Sequence, residues 1–163
     1  MPHDVTRLYL LRHAHAGFAE TGQRDFDRRL DAKGEREARF MAETMAREGW
    51  TPEVLVSSSA TRCRQTSAAV LERLGDGTAA EIDGTLYEGS LQTYLGIVNA
   101  RREQSMMLVG HNPVIEEMFW QLAGEAAARD HLHSFYPTAG LAVLDRAENG
   151  WRLAAMVSPP GDL

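Results

Sequence analysis

Two guanidinium groups and two imidazoles fall at the ends of apolar runs in this chain. Arg12 and His13 follow Leu8 to Leu11. Arg62 comes soon after Val54 to Val56, within the stretch Ser57, Ser58, Ser59, Ala60, Thr61, Arg62. His111 follows Met106 to Val109, within Gly110, His111, Asn112 and Pro113. If each apolar run is a buried strand, these side chains emerge together at strand-to-loop exits and enclose a basic pocket. A phosphoryl group in transfer spreads negative charge over three equatorial oxygens, so its catalysis is mostly positioning and preorganised positive charge. Arg12 and Arg62 can grip those oxygens through charge-assisted, often bidentate hydrogen bonds. Backbone N–H groups after Asn112, at a helix start, would add partial positive charge. A neutral imidazole can attack phosphorus and later depart, and neighbouring arginines favour the neutral form. His13 has the nucleophile's place.

Other residues admit other chemistries. A thiolate phosphatase carries an arginine six positions after its cysteine, but the residue six after Cys63 is Ala69, and Cys63 falls on an apolar helical stripe. His13 with His15, and His131 with His133, alternate as zinc ligands can, so a zinc-dependent hydrolase is a competing reading. Such a site would want carboxylates beside these pairs, and the chain is shorter than the usual metallohydrolase barrel of about 250 residues. A non-catalytic phosphate-binding module is a third reading, and the complete set of Arg12, His13, Arg62 and His111 argues against it. The expectation is therefore no metal and no cofactor. His15 belongs at the pocket mouth or in a solvated loop. His3, His131 and His133 are expected at the surface, Arg64, Arg101 and Arg102 as solvated helix charges, and Met41 with Met45 in the core.

Periodicity supplies the elements that must position these groups. The runs Leu8 to Leu11, Val54 to Val56, Met106 to Val109, Leu141 to Leu144 and Leu153 to Val157 read as strands, with a weak one at Glu81 and Ile82. A helix is expected from about Ala32 to Glu48, capped by Asp31 and stopped by Gly49, burying Ala38, Met41, Ala42 and Met45. A second runs from about Ala60 to Leu74, with Cys63, Val70, Leu71 and Leu74 on one stripe. A third follows Ser90 and buries Leu91, Tyr94, Leu95 and Val98. A fourth follows Asn112, its candidate N-cap, with Pro113 at the first position and Val114, Met118 and Leu122 inward. Asn149 and Gly150 lie between the last two apolar runs and signal an antiparallel hairpin, which makes the sheet mixed. Strands alternating with helices imply a sheet covered on both faces, with ligands bound at the carboxyl ends of its strands.

The bulk properties set limits. The chain has 163 residues, 44% hydrophobic and 25% charged, which suits one domain, and no repeat or linker divides it. A net charge of −6 without a long basic run disfavours nucleic acid and anionic lipid as partners. No apolar span of about 20 residues and no secretory leader is evident, and the single cysteine suits a reducing, cytoplasmic setting.

Taken together, the motifs resemble those of the histidine phosphatase superfamily, and most closely its small bacterial branch of SixA-type phosphohistidine phosphatases. The resemblance rests on Arg12 and His13, the helix start from Leu30 to Gly34, the Ser57 to Thr66 stretch with Arg62, Gln65 and Thr66, and Gly110 to Pro113. The Pro137 to Leu144 stretch is also similar. Together these span nearly the whole chain. The resemblance implies a phosphoglycerate mutase-like three-layer α/β sandwich over residues 1–163, with a mixed, mostly parallel sheet. It implies His13 as the phosphorylated nucleophile, with Arg12, Arg62 and His111 as the phosphate pocket. Ala14 stands where many members have glycine. Glu88 is the positional candidate for the carboxylate that protonates an ester leaving group, an acid that SixA-type enzymes can lack. The short interval from Gly75 to Gly110 leaves no long insertion for a lid. The favoured substrate is phosphohistidine on another protein, and the alternative is a small phosphate ester.

Overall fold

Successive side chains along a strand point to opposite faces of its sheet, and the apolar runs of this chain use that rule to feed two cores at once. In the computed structural model, which describes residues 4–163, the strands are β1 (Arg7–Arg12), β2 (Val54–Ser57), β3 (Ala79–Ile82), β4 (Ser105–Gly110), β5 (Leu141–Ala147) and β6 (Gly150–Val157). They form one sheet in the order β3-β2-β4-β1-β5-β6. β3, β2, β4 and β1 are parallel neighbours, and β5 and β6 add an antiparallel hairpin. The architecture is the expected α/β sandwich with a mixed, mostly parallel sheet.

One face buries Tyr9, Leu11, Leu55, Met107, Val109, Leu141 and Val143 under α1 (Ala32–Glu48) and α2 (Thr61–Leu74), which contribute Met41, Ala42, Met45, Cys63 and Val70. The other buries Leu8, Leu10, Val54, Val56, Met106, Leu108, Ala142 and Leu144. It is covered by α3 (Thr85–Glu88), α4 (Leu91–Asn99), α5 (Val114–Ala123) and α6 (Glu125–His131). Each large apolar side chain taken from water contributes roughly 1.5–3 kcal/mol, so the two cores together set the register of every central strand. Among the described residues, no helix is long and apolar enough to cross a membrane.

The expected elements are present, with differences at their ends. α1 starts and stops as expected: the Asp31 carboxylate accepts from the Gly34 N–H at 2.8 Å, and Gly49 closes the helix with φ 72°. α4 begins at a Ser90 and Thr93 capping box. α5, however, starts at Val114 with Pro113 in the cap position, after a cis Asn112–Pro113 bond. It buries Ile115, Met118 and Phe119, leaving Val114 and Leu122 at the margin. The short α3 and α6, and a 3-10 turn at Asp25–Asp27, have too few apolar repeats to be read from sequence. β3 is an edge strand exposed throughout, which accounts for its faint signal. His3 lies outside the described residues. His131 and His133 are exposed, as expected.

Gly34 shows how closely α1 docks onto the loop leaving β1. A Cβ there would lie 1.8 Å from the carbonyl oxygen of His15, a backbone atom that cannot swing away. Gly34→Ala is therefore expected to cost about 1–3 kcal/mol, the range for overpacking a filled site. Urea unfolding of the variant beside the wild type measures this, and an unchanged midpoint would contradict the close docking.

Candidate active site

The parallel pairing of β2, β4 and β1 brings three carboxyl ends into one rim: Arg12 pairs with Gly110, and Ser57 with Val109. The loops leaving that rim carry His13, Ser58 to Ala60, and His111, and the first turn of α2 carries Arg62. They surround a cavity of about 430 Å³. The expected four-residue basic constellation is thus brought together. Arg62 reaches both imidazoles, its Nε 3.4 Å from Nε2 of His13 and its Nη2 3.4 Å from Nδ1 of His111. The imidazole centroids are 5.5 Å apart.

Hydrogen bonding orients each ring. Nδ1 of His13 lies 2.7 Å from the Ala14 carbonyl oxygen, which can only accept, so the proton sits on Nδ1 and Nε2 presents a lone pair to the cavity. Burial first, and then the charges of Arg62 and Arg12, push the His13 pKa down to about 3. The same causes, again led by burial, lower His111 to about 4. Both rings are neutral at pH 7. Arg62 can only donate, so Nδ1 of His111 accepts from it here, while Nε2 lies 2.8 Å from the Ser58 hydroxyl. Ser58 Oγ also accepts from the Ala60 N–H at 3.2 Å. Its own proton can therefore turn toward Nε2, so Ser58 is able to support either tautomer of His111.

Arg12 donates from Nη1 to the Tyr136 carbonyl at 2.7 Å, while its buried Nε has no partner among the described residues. An unpaired buried donor costs about 1–3 kcal/mol, which an oxygen of a bound anion would recover. Of the N–H groups expected to flank the anion after Asn112, those of Ile115 and Glu116 go instead to the His111 carbonyl and the Asn112 side chain. The remaining motif residues are clamps. Gln65 Oε1 accepts from the Leu30 N–H at 2.8 Å, and Thr66 Oγ1 accepts from the Ala14 N–H at 3.0 Å. Cys63 is buried beneath the site, its thiol pushed up to about 12 by burial.

Glu88 lines the cavity and is exposed, with no side-chain hydrogen bond among the described residues. His15 also lines it, its Nδ1 2.6 Å from Asp31. Among the described residues, no cluster of three His, Cys, Asp or Glu side chains is placed to hold a metal ion.

Four further lining or supporting residues escaped sequence reasoning: Ser58, Asp25, Arg28 and Tyr87. The segment between β1 and α1, rather than an insertion after Gly75, folds over the cavity. Asp25 accepts from Arg62 Nη2 at 3.1 Å, Arg28 Nε at 2.8 Å and the Tyr87 hydroxyl at 2.7 Å. Only the Arg28, Arg29, Leu30 run next to the helix start hinted that this segment was built rather than loose.

Residues 8–103 match the model of the histidine phosphatase superfamily, branch 1. The chain is 31% identical to an uncharacterised chloroplastic protein of Arabidopsis thaliana, over 95% of this chain and 73% of the relative. Among solved structures it is similar to a candidate phosphohistidine phosphatase SixA from Agrobacterium tumefaciens, with 42% identity and a TM-score of 0.89. That match covers 95% of this chain and 99% of the other. A SixA candidate from Nakamurella multipartitia gives 28% identity and a TM-score of 0.75, covering 98% and 99%.

The lowered imidazole values have a consequence for stability. Between the ordinary value of 6.5 and the folded values of about 3 and 4, the unfolded chain binds more protons at His13 and His111 than the folded one. Stability from keeping both neutral is complete above pH 6.5 and is lost as pH falls toward the folded values. Urea titrations at pH 7 and pH 4.5 should show that decline, and a His13→Asn variant should show a shallower one. Equal slopes would mean that His13 does not stay neutral in the fold.

Proposed function

The chain belongs to branch 1 of the histidine phosphatase superfamily, and we propose that it is a metal-independent phosphatase working through a phosphohistidine at His13. The observation that carries this reading is the disposition of His13 Nε2, an unprotonated nitrogen facing a pocket of two arginines and a second neutral imidazole. In the first transfer that lone pair bonds to phosphorus while the bond to the leaving atom breaks. Arg12, Arg62 and His111 hold the three equatorial oxygens. For His111 to donate from Nδ1, its proton must leave Nε2, and the Ser58 hydroxyl then donates to Nε2 in return. In the second transfer a water oxygen bonds to phosphorus, and one of its protons passes to a phosphoryl oxygen of the product phosphate. His13 departs with the electron pair of the P–N bond and its Nδ1 proton still in place, as a neutral imidazole.

Phosphohistidine on a protein is the favoured substrate. The 42% identical A. tumefaciens relative is named for that activity, and the rim offers Phe135, 59% exposed, with its ring 5.9 Å from the Arg12 guanidinium, as a surface for a peptide. A cavity of about 430 Å³ also admits a small phosphate ester, for which Glu88 has the position of a proton donor. The whole span 1–163 acts as one domain on this reading, and a buried free thiol suits a cytoplasmic location.

His13→Ala is expected to abolish both turnover and the acid-labile, alkali-stable phosphoenzyme trapped by rapid quench with radiolabelled substrate. Arg62→Ala should retain the fold and lose about 3 kcal/mol of transition-state stabilisation, roughly a hundredfold or more in kcat/KM. A His13→Ala enzyme with wild-type turnover would refute the mechanism.

A further inference from the structure

Asp25 places a carboxylate inside the pocket that the two-step transfer does not use. Its Oδ2 accepts from Arg62 and from the Tyr87 hydroxyl. Among the described residues its Oδ1 accepts a single hydrogen bond, from Arg28, and the side chain is 54% exposed, so one edge of the carboxylate remains open to a ligand. Burial acts to raise its pKa, but Tyr87, Arg28 and Arg62 outweigh it and bring the value to about 2. The group is ionised at neutral pH and cannot serve as the proton donor to a leaving group. Other ionisable groups around the same cavity are Arg12, His15, whose Nδ1 lies 2.6 Å from Asp31, Glu88 from α3, which is exposed, and the neutral His13 and His111.

Flat rings stand beside this carboxylate. Phe26 meets Tyr87 edge to face at 5.0 Å, and Tyr87 meets His111 at 5.6 Å. An ionised acceptor beside aromatic rings suits a planar ring that carries an N–H and positive charge, since the carboxylate takes the N–H and flat rings pack against one another.

A phosphorylated imidazole is such a ring, and its departure depends on its second nitrogen. With that nitrogen bare, cleavage of the P–N bond must expel an imidazolate. With it protonated, His13 Nε2 bonds to phosphorus, the departing nitrogen keeps the electron pair of the broken P–N bond, and neutral imidazole leaves. The proton stays on the second nitrogen throughout, so no general acid is needed. We propose that Asp25 is a further catalytic residue. Its free edge accepts the hydrogen bond of the substrate ring's second N–H and so holds phosphohistidine in the cationic form that departs as neutral imidazole. This rests on the phosphatase reading above and assigns the side of the pocket that recognises the leaving group. An alkoxide leaving group gains nothing from a fixed carboxylate and is repelled by it.

The test compares Asp25→Asn with the wild type on a phosphohistidine peptide and on p-nitrophenyl phosphate, whose leaving group needs neither proton nor cation recognition. Loss of a charge-assisted hydrogen bond should lower kcat/KM on the peptide about tenfold or more beyond any change on the nitrophenyl ester. The gap should widen between about pH 6 and pH 8, as the unassisted ring loses its proton, and Asp25→Glu should restore part of it. Equal losses on both substrates would mean that Asp25 only positions Arg62, which overturns the proposal and leaves the phosphatase reading intact. A wild-type enzyme that hydrolyses the nitrophenyl ester but not the peptide would overturn the proposal together with the phosphohistidine substrate.

Discussion

Two neutral imidazoles packed around buried guanidinium groups set the terms for the rest of this molecule. Arg62 is 5% exposed, and His13 and His111 are 8% and 7%. Cations so placed lose hydration that only hydrogen bonds and opposite charge can restore. The fold restores it in part, through the Tyr136 carbonyl for Arg12 and through Asp25 for Arg62. What remains is a local excess of donors in a chain whose net charge is −6. Charges further off than about 8–10 Å are largely screened in physiological salt, so this excess, and not the acidic surface, decides what the cavity binds.

Holding that arrangement falls to the backbone around His13. The Arg12 N–H donates to the Gly140 carbonyl, the His13 N–H to the Gly110 carbonyl, and the Ala139 N–H to the His13 carbonyl. His13 thus hangs from a continuation of the sheet beyond β1, bound on one side to the end of β4, just before His111, and on the other to the turn before β5. Ala139 accepts φ 53° to make its bond, a left-handed conformation that costs a residue with a Cβ about 1–2 kcal/mol. The loop then passes to Thr66 and Gln65 on α2 and to Glu37 on α1, whose carboxylate accepts from the His15 N–H and the Thr138 hydroxyl. Most motif positions in this chain do no chemistry; they hold the few that can.

Much of this was legible in the sequence because the signals were local or periodic. Five strands, four helices and the Asn149 turn followed from apolar spacing and capping residues, and Arg12, His13, Arg62 and His111 stood within a few residues of the ends of those runs. The site residues that escaped detection share a different property. Asp25 acquires meaning only when the segment after β1 folds back across Arg62, a residue 37 positions away. Ser58 acquires it only when β4 lies beside β2 and sets His111 against its hydroxyl, 53 positions distant. Neither has a helical or strand period to announce it, and each lies in a polar stretch where such residues are ordinary. The start of α5 was misjudged for a related reason. Asn112 and Pro113 have the composition of a cap, but the Asn112 side chain is drawn to the Tyr136 carbonyl and the Glu116 N–H.

The guanidinium of Arg62 joins these observations. One side of the fork is anchored, with Nη1 donating to the Asp25 carbonyl at 2.8 Å and Nη2 to its carboxylate at 3.1 Å. The remaining N–H of Nη2 and that of Nε point to the two imidazoles over distances of 3.4 Å, at the long limit for such bonds. These two donors form one edge of a planar group, the geometry that matches two oxygens of a tetrahedral anion. A phosphoryl group entering between the rings would exchange two long contacts to uncharged acceptors for two to ionised oxygens, while the opposite side of the fork keeps its hold on Asp25. Arg62 can therefore grip the transferring group and fix the carboxylate beyond it at the same time. A lysine, with one point charge and no second edge, could not do both.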